Sequence, residues 1–321
     1  MNIEKSHRND DMPLLAVDIQ NLTKIYNPSK GKTVEALNNI NMKVPQGSIF
    51  GILGPNGAGK STLINILAGL VVKTSGIAKI WNFDIERETR RARAAIGVVP
   101  QEVSLDAFFS PREALELQAG LYGVPKKERR TNEILEAIGL TEKANADARS
   151  LSGGMKRRLL IGKALVHTPP VVVLDEPTAG VDVELRRQLW DYVRDLNKAG
   201  TTILLTTHYL KEAEKMCDTI AIIDQGQMVA CDTTPALIER LDQRTLIITI
   251  KEKLHKLPDN LNDFSVTLTT PIKLTFEFSP SKTSTGEIIT AVQKEMLTIV
   301  DLQTLDSDLE DVFIRMTNLN G

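Results

Sequence analysis

The stretch GPNGAGKST, residues 54–62, constrains this chain more than any other part of its sequence. It follows the apolar run SIFGIL and opens the helical pattern STLINILAGL. Its spacing is G-x-x-x-x-G-K-[ST], with Gly54, Gly59, Lys60 and Ser61 at the defined positions. Glycines let backbone N–H groups turn inward around phosphate oxygens, and a helix N-terminus attracts anions. The stretch therefore predicts a phosphate-binding loop between a strand and a helix, rather than a glycine-rich turn with a surface lysine.

The positions of this loop have different expected roles. Lys60 would neutralise charge on the β- and γ-phosphates of a nucleotide, which makes it a candidate catalytic residue as well as a binding one. Ser61 would offer its hydroxyl oxygen to Mg²⁺. The expected nucleotide contacts of the loop are Gly54, Pro55, Asn56, Gly57, Ala58, Gly59, Lys60, Ser61 and Thr62.

Two adjacent acids, Asp175 and Glu176, end the apolar run VVVLDE. Such a short β-branched run is typical of a parallel strand buried on both faces, and α/β sheets bind ligands at the carboxyl ends of these strands. Asp175 would hold Mg²⁺ through water, and Glu176 would polarise the attacking water as the catalytic base. Alone, the pair could equally be two surface acids that start a turn; next to a phosphate-binding loop the catalytic interpretation is favoured.

A second candidate anion site lies in LSGGMKRRL, residues 151–159. Ser152, Gly153 and Gly154 come at the start of a predicted helix, where free N–H groups can bind phosphate. Without the other motifs this would be an ordinary helix cap. The basic residues 156–158 that follow are expected on a solvated or interfacial face rather than on nucleic acid.

Taken together with Gln101 in VVPQE and His208 in LLTTH, these motifs resemble the nucleotide-binding subunit of an ABC transporter, over about residues 14–235. The resemblance implies a P-loop NTPase cassette that binds ATP and Mg²⁺ and hydrolyses ATP. It implies that Gln101 contacts Mg²⁺ and the membrane partner, and that His208 contacts the γ-phosphate as a further catalytic residue. It also places Tyr26 against adenine.

The same resemblance implies a homodimer of cassettes arranged head to tail. Each ATP would lie between the phosphate-binding loop of one copy and Ser152, Gly153 and Gly154 of the other. Asp182 would lie at the dimer interface. The metal ligands that the resemblance and the chemistry imply are Ser61, Gln101 and Asp175.

Met155 stands where the commonest form of the signature has glutamine. In this the chain resembles a branch of bacterial exporters that includes drug-resistance and polysaccharide-export pumps, and the C-terminal segment SDLEDVFIRMT resembles the tail of that branch. In this branch the membrane-spanning permease is a separate polypeptide. An importer ATPase and a soluble ABC protein without transport function stay as alternatives, although the second kind usually has two cassettes, long coiled coils or zinc-binding cysteines.

Composition limits the remaining classes. The formal net charge of −2 gives no overall basic field for nucleic acid. The two cysteines match neither a disulfide framework nor a zinc site, and no apolar run reaches the ~18 residues of a membrane span. The polar start MNIEKSHRNDDM is unlike a signal peptide. We therefore expect a cytoplasmic protein that reaches the cytoplasmic face of the cell membrane through its partner.

The order of strand and helix patterns along the chain predicts two domains, each with both helices and strands. We expect a disordered tail over residues 1–12, an α/β cassette over 13–242 with a helical subdomain at about 104–149, and an accessory domain over 243–321. The accessory domain has the order β-α-β-β-α-β, which suggests a small α+β ferredoxin-like fold. Its second helix would begin with the capping box Ser284-x-x-Glu287. Its final helix carries an apolar stripe that we expect on the domain's own sheet: Leu309, Val312, Phe313 and Met316.

Overall fold

A computed structural model describes residues 14–27, 32–102, 105–106, 108–179, 181, 183–306 and 308–318. The chain forms two compact units, Met1–Asp232 and Thr233–Gly321. The boundary expected at residue 242 lies inside the second unit, because the helix at Thr234–Glu239 belongs with the C-terminal elements. The expected tail over residues 1–12 lies outside the described residues.

The first unit contains ten strands and seven helices among its described residues. Its strands are β1 (Leu15–Tyr26), β2 (Val34–Pro45), β3 (Ile49–Leu53), β4 (Ser75–Ile80), β5 (Phe83–Asp84), β6 (Ile96–Val99), β7 (Val171–Asp175), β8 (Thr202–Thr206), β9 (Thr219–Asp224) and β10 (Gln227–Thr233). Its helices are α1 (Lys60–Leu67), α2 (Thr89–Ala94), α3 (Pro111–Leu121), α4 (Thr131–Ala137), α5 (Gly153–Leu165), α6 (Val183–Lys198) and α7 (Leu210–Met216).

A six-stranded sheet in the order β10-β9-β3-β8-β7-β6 forms the centre of this unit. The pairs β6–β7, β7–β8, β8–β3 and β3–β9 are all parallel. Every residue of β3, β7 and β8 is buried, as their unbroken apolar runs predict. The prediction of an α/β fold with buried central strands is confirmed.

A four-stranded antiparallel sheet, β2-β1-β4-β5, packs its apolar residues into the same core. Residues 34–36 begin β2, where Val34 pairs with Tyr26 and Glu35 pairs with Ile25. Helix α1 was expected to continue to Leu70 but ends at Leu67. Gly69 follows with a φ of 69°, a left-handed conformation that ends a helix.

The segment expected as a helical subdomain is helical. Between residues 105 and 149 its described part contains α3, α4 and three short 3₁₀ turns, and no strand. Helix α3 begins with a complete capping box between Ser110 and Glu113. Leu115, Leu135 and Leu159 join α3, α4 and α5 in one apolar core.

The second unit contains a four-stranded antiparallel sheet in the order β12-β13-β11-β14. In place of the first expected helix there is a 3₁₀ turn at Asp259–Leu261, and the expected capping box of Ser284 and Glu287 is present. The last helix contacts the first helix of this unit, with Leu309 and Val312 fully buried, and packing of its stripe on the sheet stays a prediction. The elements are α8 (Thr234–Glu239), β11 (Arg244–Ile250), β12 (Val266–Thr270), β13 (Lys273–Phe278), α9 (Thr285–Lys294), β14 (Ile299–Asp306) and α10 (Leu309–Asn318). The ferredoxin-like assignment stays a prediction.

Candidate active site

The loop between β3 and α1 depends on two of its glycines for its course. A Cβ atom on Gly54 would lie 2.1 Å from the carbonyl oxygen of Ile223. A Cβ atom on Gly59 would lie 2.5 Å from the carbonyl oxygen of Ala36, and Gly59 also has a φ of 109°. Only glycine fits such approaches of backbone to backbone. The spacing of the motif therefore follows from packing of the loop against neighbouring strands as well as from phosphate binding.

Lys60, the first residue of α1, is buried with 7% of its surface exposed. Its Nζ donates hydrogen bonds to the carbonyl oxygens of Gly54 at 2.6 Å and Pro55 at 3.0 Å, so the side chain folds back over its own loop. Burial lowers the pKa of Lys60, while the carboxylates of Glu176 and Asp175 oppose that shift. The ammonium group is thus held in the loop with both acids within electrostatic range.

Thr206, at the end of β8, organises the two acids that end the neighbouring strand. Its Oγ1 donates to Oδ1 of Asp175 at 2.5 Å and accepts from the backbone N–H of Glu176 at 3.0 Å. Burial raises the pKa of Asp175, and the hydrogen bond from Thr206 opposes the shift. Glu176 itself has a φ of 45°, the left-handed region that a side chain rarely adopts.

The carboxylate of Glu176 is the meeting point of three strand ends. Its Oε2 accepts a hydrogen bond from Nε2 of Gln101 at 3.0 Å and lies 3.2 Å from Nδ1 of His208. These residues follow β6, β7 and β8, whose parallel order brings their carboxyl ends side by side. Three residues separated widely in sequence therefore form one polar cluster.

A cavity of about 480 Å³ lies over the loop and this cluster. Glu176 and Gln101 line it together with the glycine-rich loop. The lining residues are Val34, Glu35, Ala36, Asn56, Gly57, Ala58, Gly59, Lys60, Ser61, Thr62, Gln101, Glu176, Gln225 and Gly226. The glycine-rich loop, Lys60 and Glu176 thus border one space of a size suited to a phosphorylated ligand.

Several expected site residues do not line this cavity: Gly54, Pro55, Asp175, His208, Tyr26, Ser152, Gly153 and Gly154. Tyr26 is 37% exposed, and Nζ of Lys24 lies 4.6 Å from its ring centroid. Ser152 and Gly153 are exposed, and Gly154 is half-buried at the start of α5, where Oγ of Ser152 accepts from the N–H of Met155. Asp182 lies outside the described residues.

The donors expected for Mg²⁺ suit that ion chemically. Ser61, Gln101 and Asp175 offer hydroxyl, amide and carboxylate oxygens, the hard ligands that Mg²⁺ prefers. In the described part of the chain, no group of three or more His, Cys, Asp or Glu residues could hold a metal ion. The assignment of Ser61, Gln101 and Asp175 as Mg²⁺ ligands stays a prediction.

Sequence reasoning missed two residues next to the site, Thr206 and Arg157. Arg157 was expected on a solvated face but is only 4% exposed, so that expectation is wrong. The missed signal was its spacing: Arg157 precedes Leu160, Ile161 and Ala164 on the buried stripe of α5. A basic residue on such a stripe needs internal hydrogen-bond partners.

Residues 37–179 match the ABC transporter family. The linearmycin resistance ATP-binding protein of Bacillus subtilis is 35% identical over 316 residues, which are 93% of this chain and 97% of that protein. The chain belongs to the ABC transporter family. The Nod factor export ATP-binding protein I of Neorhizobium galegae is 36% identical, over 95% of this chain and 86% of that protein.

Solved structures agree with this membership. An ATP-binding subunit of an ABC transporter aligns with a TM-score of 0.64 and 27% identity, over 70% of this chain and 93% of that chain. A dimeric ATP-binding cassette in a post-hydrolysis state with ADP and Pi aligns with a TM-score of 0.62 and 29% identity, over 68% and 98% of the two chains. The expected resemblance is confirmed: the chain is an ATP-binding, ATP-hydrolysing cassette subunit. In the described residues, none of the helices has the length and apolar character needed to cross a membrane.

Proposed function

We propose that this ATPase energises export of a substrate through a separate membrane-spanning permease, from the cytoplasmic face of the membrane. The observation that carries the proposal is similarity along almost the whole chain to ATP-binding proteins named for resistance and export. The daunorubicin/doxorubicin resistance ATP-binding protein of Streptomyces peucetius adds 38% identity over 75% of the chain.

Several large apolar side chains of the first unit are exposed and support the permease partner. Leu70 and Val72, which follow α1, are 75% and 73% exposed, and Phe108, before α3, is 83% exposed. Leu117 and Leu121 of α3 are also exposed. Apolar side chains of this size mark a protein contact where they form a contiguous exposed patch. We assign that contact to cytoplasmic segments of the permease.

In the proposed reaction, ATP binds with its phosphates in the glycine-rich loop, where backbone N–H groups and Lys60 bind their oxygens. Glu176 accepts a proton from the water that attacks the γ-phosphate. Gln101 and His208 contact one carboxylate oxygen of Glu176 and so fix its orientation, and His208 also reaches the γ-phosphate. Mg²⁺, held by Ser61, Gln101 and Asp175, supplies charge neutralisation at the phosphates when bound.

The second copy of the chain is proposed to complete the site. Ser152, Gly153 and Gly154 lie at the N-terminus of α5, away from the cavity of their own chain and open to a partner. A head-to-tail dimer would bring them to the ATP of the other copy. Tyr26, exposed at the end of β1, is proposed to stack on adenine.

The test is purification of the tagged full-length chain from membranes of its native host, followed by reconstitution in vesicles. We expect a stoichiometric polypeptide rich in membrane spans, and ATP-dependent efflux from cells that contain both proteins. The matched control is Lys60→Ala, which should lose ATP-dependent thermal stabilisation and efflux while the melting temperature without nucleotide changes little. ATP-dependent uptake that requires an external substrate-binding protein would instead show an importer, and absence of any membrane partner would contradict both.

A further inference from the structure

The guanidinium group of Arg157 donates hydrogen bonds to two loops of the candidate active site. On one side, its Nη1 donates to the carbonyl oxygens of Pro100 at 2.8 Å and Gln101 at 2.7 Å. These two residues directly follow β6, and the side-chain amide of Gln101 contacts Glu176.

On its other side, the same group binds the chain that follows β7. Its Nη2 donates to the carbonyl oxygens of Asp175 at 3.1 Å and Glu176 at 2.6 Å, and its Nε donates to the carbonyl oxygen of Pro177 at 3.0 Å. The three consecutive carbonyls that surround the proposed base therefore all point at one side chain.

This arrangement uses the full hydrogen-bonding capacity of arginine. A guanidinium has five N–H donors in one rigid plane, and here each has a carbonyl acceptor. Burial lowers the pKa of Arg157, and the carboxylates of Asp175 and Glu176 oppose the shift. Lysine has three donors and no planar geometry, so it would leave at least two of the five carbonyls without this partner.

We propose that Arg157 is a positioning residue that fixes the loop of Gln101 and the loop of Glu176 in one geometry, so that the carboxylate of Glu176 is aligned for proton transfer. The inference rests on the proposed role of Glu176 as the base. Arg157 touches neither ATP nor water in this account and acts only through the two backbones that it joins.

Arg158, the next residue of the same helix, provides a matched control. Its Nη1 donates to the carbonyl oxygens of Ile138 at 2.8 Å and Gly139 at 3.3 Å, in the helical segment and away from Glu176. Both arginines lie on α5 and donate to main-chain carbonyls of other segments. A comparison of the two variants therefore separates the effect of losing any such hydrogen bond from the effect of losing the contacts of Arg157 with the active-site loops.

The experiment compares Arg157→Lys and Arg158→Lys in the full-length chain, each alone and combined with Glu176→Gln. ATP affinity is measured by nucleotide titration, and kcat and KM by steady-state hydrolysis. We expect Arg157→Lys to lower kcat roughly 10- to 100-fold, because a small misplacement of a catalytic group has that effect, with ATP affinity within about threefold of wild type. Arg158→Lys should change kcat by less than about threefold.

The double variant decides between positioning and a purely structural role. In the Glu176→Gln background the base is absent, so Arg157→Lys should lower the residual rate by less than about twofold. An equal fall in both backgrounds, or a kcat unchanged by Arg157→Lys, would overturn the inference. If Arg157→Lys does not bind ATP, Arg157→Gln takes its place, and loss of ATP binding in both variants would also overturn it. Near-normal turnover in Glu176→Gln alone would contradict the role of Glu176 and is therefore recognisable as a different failure.

Discussion

The two units of this chain place their polar contacts differently. In the first unit, parallel strands end side by side, and residues from three of them converge on the carboxylate of Glu176. In the second unit, Asp242, before β11, accepts hydrogen bonds from the hydroxyls of Ser279 and Ser281, after β13, which hold the pKa of Asp242 below its usual range. The contacts of Glu176 lie at a cavity beyond the carboxyl ends of parallel strands, whereas those of Asp242 join the ends of two paired antiparallel strands.

The central sheet of the first unit is more deeply buried than the sheet of the second unit. Strands β3, β7 and β8 are buried throughout, whereas in β11 buried residues alternate with half-buried ones, and β12 has no fully buried residue. The family match, residues 37–179, lies wholly in the first unit. The proposed catalytic residues likewise all lie in the first unit, so we expect the second unit to modify the chemistry rather than to carry it.

Glu176→Gln is expected to have the largest effect, because it removes the proposed base of the first unit. Removing the base should slow hydrolysis by about 10²- to 10⁴-fold, because general base catalysis contributes that much, while ATP binding persists and an ATP-bound dimer accumulates in size-exclusion chromatography. Glu35→Gln is the matched control, since Glu35 lines the same cavity but binds Asn38 rather than Gln101 or His208. A rate near wild type in Glu176→Gln, or an equal loss in both variants, would reject the base.

Removal of the second unit is the next test in size of effect. A chain that ends at Asp232 should stay soluble and bind ATP, because every proposed catalytic residue lies in the first unit. We expect its turnover or its dimerisation to change by a few-fold, measured by phosphate release and analytical ultracentrifugation. An insoluble product, or one unable to bind ATP, would show that residues 233–321 complete the cassette core and are not an accessory domain.

The smallest effects come from two equivalent capping boxes, one in each unit. Ser110→Ala at α3 and Ser284→Ala at α9 should each cost about 1 kcal/mol of unfolding free energy, since each removes a hydroxyl that caps a helix. Chemical denaturation measures the loss. Ser284→Ala should leave ATP affinity unchanged, and a large change in that affinity would show that the second unit contributes directly to nucleotide binding.

Much of the site could be predicted because its residues lie in contiguous motifs at strand ends. Lys60 and Glu176 were found from the glycine-rich motif and from the acids that end a buried apolar run, and His208 from the family resemblance. Arg157 and Thr206 could not be assigned in this way, because their partners are main-chain atoms or side chains on elements distant in sequence. Such contacts depend on packing and leave no local pattern.

The second unit shows the same limit at the level of the fold. Its strands and the capping box of α9 were predicted from local sequence and are present. The prediction of a helix between β11 and β12 was wrong, since the segment KEKLHKLPDNLND forms only a 3₁₀ turn at Asp259–Leu261. Pro258 directly precedes that turn, and the residue before a proline is pushed away from helical geometry. The packing of α10 on α8 was not predicted, because the expected boundary at residue 242 placed α8 in the cassette.

The left-handed backbone of Glu176 bears on any attempt to engineer this chain. A side chain at a φ of 45° costs of order 1 kcal/mol relative to glycine, so a search for stabilising substitutions would favour glycine at this position. That replacement would delete the proposed base. Selection for heat resistance and selection for turnover therefore pull in opposite directions at residue 176, and a stabilised variant of this protein must find its gains elsewhere.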